Sequence, residues 1–196
     1  HDAASVVSKS LSLPEKVHVF STRTAETMEV PGLPVVIHGR GFPSKAVTEN
    51  LAIDYPERVA SKFNVGMLHT SLNGLPGHDN YAPCSIQDLV RKGYDYWALG
   101  HIHQPAVISE SPWIVYSGNS QGRHIREEGP RGCRLVTVGD SLKVESVEMR
   151  ELDVVRWKEV SVNINGVESE EAVLESVRFT LGQAVEESSG RLMAAR

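Results

Sequence analysis

The sequence predicts an α/β fold, a mixed sheet in which polar residues follow buried strands. Two short apolar runs, residues 65–68 and 94–99, are typical of strands buried on both faces. A helix-like segment at residues 85–93 lies between them, which gives the strand, helix, strand order of a right-handed crossover. Histidines stand where these two strands end, at His69 and His101.

Length and composition fit an ordinary globular protein. The 196 residues suffice for one sizeable domain, or for one domain and the start of another. An apolar fraction of 40% and a charged fraction of 23% argue against disordered and fibrous classes. The net charge of -5 argues against a wholesale nucleic-acid coat but allows a local basic or metal-lined cleft. No apolar run reaches transmembrane length, and the two cysteines form no Cys-x-x-Cys pair, which suits the cytoplasm.

The first quarter of the chain predicts a helix and three strands. Asp2 is a good N-cap for a helix at residues 3–11. Residues 17–20 have the apolar character of a strand. A Pro-Gly pair separates residues 27–30 from residues 34–41, which predicts a hairpin.

The next segment leads to the first of the two buried strands. Residues 42–56 are polar enough to predict a surface loop with a short helix. Val65, Met67 and Leu68 predict a short buried strand that ends at His69. A histidine in that place suits a site, since ligands of α/β folds collect beyond the strand ends.

A helix and a further strand follow. Ser85 is the expected N-cap, Ile86, Leu89 and Val90 form the expected buried stripe, and Gly93 ends the helix.

The remaining elements are strands and one long helix. Beyond the strand at residues 94–99, the sequence predicts two apolar strands within residues 106–119 and a hairpin at residues 132–149. Residues 156–164 alternate like a half-exposed strand, and residues 168–187 predict a helix with an apolar face and an acidic, solvated first turn. Both ends look cut, so we expect an interior piece of a longer protein.

The clearest chemical signal is three histidines that follow buried strands. His101 and His103 stand two apart in an extended segment, so their rings can reach one locus, which His69 can join. Neutral imidazole is a ligand of Mn, Fe and Zn. The alternative is ordinary loop histidines that bond to nearby carbonyls. No carboxylate pattern accompanies the three, so the ligand set is incomplete.

Several spaced motifs resemble a known family. LHT at 68–70, ALGHIHQP at 98–105 and YSGNSQGRH at 116–124 resemble the second half of a calcineurin-like metallophosphoesterase. With YAPCSIQDL at 81–89 and EEGPRGC at 127–133, the chain is similar to the YhaO-like branch of the bacterial SbcD-type DNA repair exonucleases.

This resemblance implies a domain organisation. Residues 1–152 would form the second half of a metallophosphoesterase β-sandwich flanked by helices. Residues 153–196 would begin an α+β capping domain that binds DNA. His1 and Asp2 match the end of the family's Gly-Asn-His-Asp motif, whose first two residues are missing, as are the family's upstream Asp-x-His and Gly-Asp motifs.

The resemblance also assigns roles to single residues. His69 and His101 would bind the second metal ion, and His103 would bind the first. His1 would protonate the leaving oxygen or hold the scissile phosphate, and Asp2 would orient it.

Three more residues become candidates for contacts with substrate phosphate: Asn119, Arg123 and His124. Arginine presents a donor fork that suits phosphate. The alternative for this glycine-containing loop is that it satisfies its own backbone. His18 and His38 are expected to be structural.

The implied function is that of a DNA exonuclease or phosphodiesterase with two divalent ions, Mn or else Fe or Zn. DNA and an SbcC-like ATPase are the implied partners, a homodimer is compatible, and the location is the bacterial cytoplasm. Two alternatives remain open: a metal-free scaffold that docks the ATPase, and a metallophosphoesterase with a non-DNA substrate. By itself, the chain is expected to be inactive.

Overall fold

The chain folds into two compact units, residues 1–117 with 136–147 and residues 118–135 with 148–196. This computed structural model describes residues 12–44, 47–72 and 81–196. The predicted helix at residues 3–11 lies outside the described residues. The predicted domain division at residue 152 stays a prediction.

A six-stranded mixed sheet, in the order β1-β2-β3-β4-β6-β5, forms the centre of the first unit. Its strands are β1 (Glu26–Glu29), β2 (Val35–Gly39), β3 (Phe63–His69), β4 (Tyr96–Gly100), β5 (Ala106–Glu110) and β6 (Trp113–Tyr116). The four inner strands run parallel, and β1 and β5 pair antiparallel at the edges. This arrangement confirms the predicted α/β class with a mixed sheet.

The predicted hairpin is confirmed as β1 and β2. The Val30 N–H donates to the Val35 carbonyl at 3.0 Å, and Gly32 takes a φ of +77° in the turn, a conformation that glycine adopts readily. The strand predicted at residues 17–20 is wrong. That segment is irregular, and its first three side chains are exposed, so it joins no sheet.

The connection between β3 and β4 contains the predicted helix, α1 (Ile86–Arg91). Ser85 caps it as expected, and its hydroxyl accepts from the Asp88 N–H at 3.1 Å. Leu89 is fully buried, but Val90 is 38% exposed, so the predicted buried stripe is too wide. A helix of six residues presents fewer positions to the core than the sequence pattern suggested.

Apolar residues pack on both faces of the sheet. On one face, Leu68, Trp97 and Leu99 pack with the connection around α1. On the other, residues 136–147 cover Phe63 and Tyr96 with part of the hairpin β7 (Gly132–Val138) and β8 (Val144–Glu151), whose prediction is confirmed.

Two burial predictions are wrong. Residues 42–56 were expected on the surface, but Phe42, Leu51 and Tyr55 are at most 2% exposed, and the 3-10 helix at Leu51–Asp54 buries Leu51 and Ala52. Met67 was expected in the core but is 46% exposed, because it lies on a part of the sheet face that the described chain leaves open.

The second unit contains a two-stranded parallel sheet of β9 (Val155–Lys158) and β10 (Leu192–Ala195), joined by α2 (Glu170–Glu187). The strand predicted at residues 156–164 therefore ends earlier than expected. No helix among the described residues is both long and apolar enough to cross a membrane.

Candidate metal centre

Two of the predicted ligands meet at one edge of the sheet. His69 is the last residue of β3, and it pairs with Gly100, the last residue of β4. His101 follows directly. Because the two strands run parallel, both histidines lie at their carboxyl ends, where ligands of α/β folds bind.

The two imidazoles are neighbours. Their ring centroids lie 5.3 Å apart, with the planes at 68°. Gly100 permits this approach, since a Cβ there would come within 2.9 Å of His69 Nδ1. His101 takes a φ of +100°, which is rare for a residue with a side chain and indicates local backbone strain of about 1 to 3 kcal/mol. The chain bends at the residue that bears the second ring.

Two aromatic side chains flank the pair. Phe42 meets the His69 ring edge to face at 5.7 Å, and Tyr81 meets the His101 ring in the same way at 5.2 Å. These contacts restrict rotation of both imidazoles. Sequence reasoning missed both, although Tyr81 opens the YAPCSIQDL motif.

Burial keeps His69 uncharged. It lowers the pKa of His69 to about 4, and the charges of His101 and His103 act in the same direction. His69 is therefore neutral near pH 7 and has a ring nitrogen lone pair, the form in which histidine binds metals.

The third predicted ligand, His103, is partly exposed and follows the buried Ile102. Electrostatic repulsion from His103 is a minor cause of the lowered pKa of His69. The assignment of His103 to a separate metal ion stays a prediction.

The imidazoles suit a divalent transition metal in their chemistry, but they do not complete a site. Neutral histidines are ligands of Mn, Fe and Zn. Within residues 12–44, 47–72 and 81–196, no group of three or more His, Cys, Asp or Glu residues could hold a metal ion. The histidines among the described residues could therefore supply some of the ligands of a metal ion, but not a complete set.

An open cavity of about 480 Å³ borders His69. Its wall is largely apolar and includes Phe20, Phe42 and Met67, with Arg40 among the polar members. His69 can therefore be reached by a small molecule from this side.

The three predicted phosphate contacts lie in the second unit and share one carboxylate. Asn119 Nδ2 donates to Glu127 Oε2 at 2.8 Å, and the Arg123 guanidinium donates to Glu127 Oε1 at 3.0 Å. His124 Nε2 lies 3.8 Å from Glu127 Oε1. Glu127 is only 6% exposed. Sequence reasoning missed its role, for which the EEGPRGC motif was the only signal.

The polar side chains of this loop therefore bond to one another, and the Arg123 backbone N–H also donates to Glu127 Oε2 at 2.8 Å. Whether the loop mainly satisfies its own backbone stays open. A role for Asn119, Arg123 and His124 in substrate binding stays a prediction. His1 and Asp2 lie outside the described residues, and their catalytic roles also stay predictions.

The fold and the paired histidines define an α/β protein with a candidate metal centre at the carboxyl edge of its parallel strands. No family model matches the chain. It is 38% identical over 176 residues to a Bacillus subtilis (strain 168) protein named uncharacterized metallophosphoesterase YhaO. The match covers 87% of this chain and 42% of that relative, so the chain spans less than half of the relative's length. The chain is therefore similar to part of a protein whose name places it among the metallophosphoesterases.

Proposed function

We propose that this chain supplies the histidine part of a two-metal site in a DNA repair exonuclease of the SbcD type. The observation that carries the proposal is the pair of imidazoles, His69 and His101, 5.3 Å apart at the ends of adjacent parallel strands. The similarity to a metallophosphoesterase supports hydrolysis of phosphoesters as the reaction class.

The residues of this chain would bind and orient the ions. His69 and His101 would hold one divalent ion and His103 the other, with Mn as the proposed metal and Fe or Zn as alternatives. Bound ions of this kind activate water and stabilise negative charge on phosphate. The neutral state of His69 and the ring contacts from Phe42 and Tyr81 would prepare the nitrogens for binding.

DNA as substrate and an SbcC-like ATPase as partner are further parts of the proposal. The resemblance of the spaced motifs, from LHT to EEGPRGC, supports them. A small phosphodiester or a phosphoprotein is the alternative substrate, and a metal-free docking scaffold is the non-enzymatic alternative.

Replacement of His101 by alanine tests the site. With Mn²⁺ and linear DNA, hydrolysis by the full-length protein should fall by about 100-fold or more, because the ion loses a direct ligand. A small chromogenic phosphodiester, assayed in parallel, separates general phosphodiesterase activity from DNA specificity.

Val107→Ala is the control, because Val107 is 41% exposed in the edge strand β5 and does not line the cavity beside His69. It should retain activity. Full activity in H101A would contradict the site. Hydrolysis of the small ester without cleavage of DNA would favour the alternative substrate, and no metal-dependent hydrolysis of either would favour the scaffold.

A further inference from the structure

We infer that Tyr116 is a positioning residue for the metal ligand His69. The inference rests on the proposed metal site and names a residue that acts on it from another strand. Tyr116 is the last residue of β6 and is fully buried. It pairs with Leu99 of β4, so one whole strand separates it from β3.

The Tyr116 hydroxyl makes two hydrogen bonds to the segment that directly follows His69. It donates to the Thr70 carbonyl at 2.8 Å and accepts from the Leu72 N–H at 3.2 Å. The Tyr116 hydroxyl thus acts as both donor and acceptor, and its two partners are backbone groups two residues apart. One side chain thus fixes the turn that leads away from His69.

The same segment is anchored at further points. The Thr70 N–H donates to the Gly100 carbonyl at 3.2 Å, and the Thr70 hydroxyl donates to the Ala82 carbonyl at 2.7 Å. The Ser71 N–H donates to the Tyr81 carbonyl at 2.8 Å. Thr70, Ser71 and Leu72 are all buried, so water cannot readily replace a lost partner.

These hydrogen bonds affect the backbone conformation of His69, because the peptide unit that leads to Thr70 begins at the carbonyl carbon of His69. A change in the Thr70 peptide plane rotates the backbone of His69 and carries its ring away from His101. Hydrogen-bonding groups behind metal ligands commonly change metal affinity by about 10-fold to 100-fold. Tyr116 would act in this way through the backbone.

Tyr116→Phe removes the hydroxyl and keeps the ring. In the ¹⁵N-labelled chain without metal, the His69 ring resonances should split or broaden, because the turn loses its fixed geometry. The affinity for added Zn²⁺ should fall by about 10-fold. The ring resonances are read without metal, so they test the positioning even if the protein hydrolyses no phosphoester.

Tyr94→Phe is the matched control. Tyr94 is also buried, and its hydroxyl donates to the carbonyl of Pro56, which lies in a different loop. This variant should lose stability without a change in the His69 resonances. Equal effects of Y94F and Y116F on His69, or no effect of Y116F, would overturn the inference.

Thr70→Val gives an independent test should Y116F fold poorly. It removes the bond from the Thr70 hydroxyl to Ala82 and should move the same His69 resonances, whereas Thr70→Ser should restore them. Unchanged His69 resonances in T70V would show that the hydrogen bonds of this segment do not set the position of the His69 ring. That result would overturn the inference, because Tyr116 is proposed to act through the same segment.

Discussion

The approach of the two imidazoles in the candidate metal centre depends on a glycine. Gly100 stands opposite His69 in the strand ladder, and a Cβ there would meet His69 Nδ1 at 2.9 Å. Its φ is not in the left-handed region, so the requirement for glycine is one of space alone. The close approach of the His69 and His101 rings therefore requires a residue without a Cβ at position 100.

Gly100→Ala should displace the His69 ring and weaken metal binding by about 10-fold, because a shifted ligand no longer meets the ion. The fold should persist, since the new methyl group would meet only side-chain atoms of His69 and no backbone. Calorimetric titration with Zn²⁺ measures the loss.

Gly182→Ala is the control for that substitution, since a Cβ there would meet no atom within 4 Å. It should leave the affinity unchanged and favour helix α2 slightly. Equal affinity of G100A and the parent chain would show that the contact between residue 100 and the His69 ring is unimportant.

The sequence predicted the histidines of this site but not their neighbours. His69 and His101 could be found because each follows an apolar strand, and a strand end is visible in a sequence. Phe42 and Tyr81 could not be found, because each lies in a loop and contacts a histidine far away in the chain. Such contacts depend on loop conformation, which no local pattern encodes.

At the scale of elements, the N-terminus of α1 is the best specified feature. Ser85 and Asp88 form a reciprocal capping box: each side chain accepts from the backbone N–H of the other residue. Asn50, the N-cap of the 3-10 helix at Leu51–Asp54, donates to the same Asp88 carboxylate at 2.9 Å. The cap therefore joins the short helix to the rest of the first unit.

Ser85→Ala should lower the free energy of unfolding by about 1 kcal/mol, the usual cost of a lost N-cap. Urea unfolding of the purified chain measures this difference.

Ser169→Ala, at the N-cap of α2, is the comparison. Ser169 makes one exposed bond to the Ala172 N–H at 3.2 Å, so its loss should cost less. A larger loss in S169A than in S85A would contradict the view that the reciprocal bonds make the α1 cap the stronger one.

Elements were predictable where a turn signal or a cap marked their ends. The Pro-Gly pair located the first hairpin, and Ser85 located α1. The irregular conformation of residues 17–20 could not be predicted. Four apolar or aromatic residues in a row are typical of a strand, and a sequence does not show whether a partner strand is present. The exposure of Met67 could not be predicted for a related reason, because burial of this side chain depends on which part of a sheet face is covered.

For the molecule as a whole, His38 couples stability to pH. It is completely buried, stacks on Tyr94 at 4.2 Å, and bonds to Thr27 at 2.8 Å and to Asn64 at 3.1 Å. Burial lowers the pKa of His38 below its ordinary value, and the hydrogen bond that His38 Nε2–H donates to Asn64 Oδ1 offsets part of this effect. The folded protein therefore keeps His38 neutral at pH values where the unfolded chain binds a proton.

Stability should consequently fall as the pH drops below about 6.5, where the unfolded histidine begins to bind its proton. The contribution of one such group cannot exceed about 1.4 kcal/mol per pH unit, and it levels off below the pKa of the folded state. Urea unfolding between pH 7.5 and pH 5 measures the slope.

His38→Gln should reduce that slope, and the exposed His18→Gln should not. A slope unchanged in H38Q would show that other groups control the acid response.

The parallel pairing of β3 and β4 has a consequence for how the site comes into being. His69 and His101 are adjacent in space but are separated by a loop, a helix and a strand, so their contact is strongly non-local. Closing that length of chain costs entropy before any contact compensates for it, and non-local pairings of this kind form slowly. The two rings become neighbours only once the central sheet has assembled. A metal ion that needs both rings is thus a ligand of the native state, and it stabilises the finished fold by mass action without guiding the chain toward it.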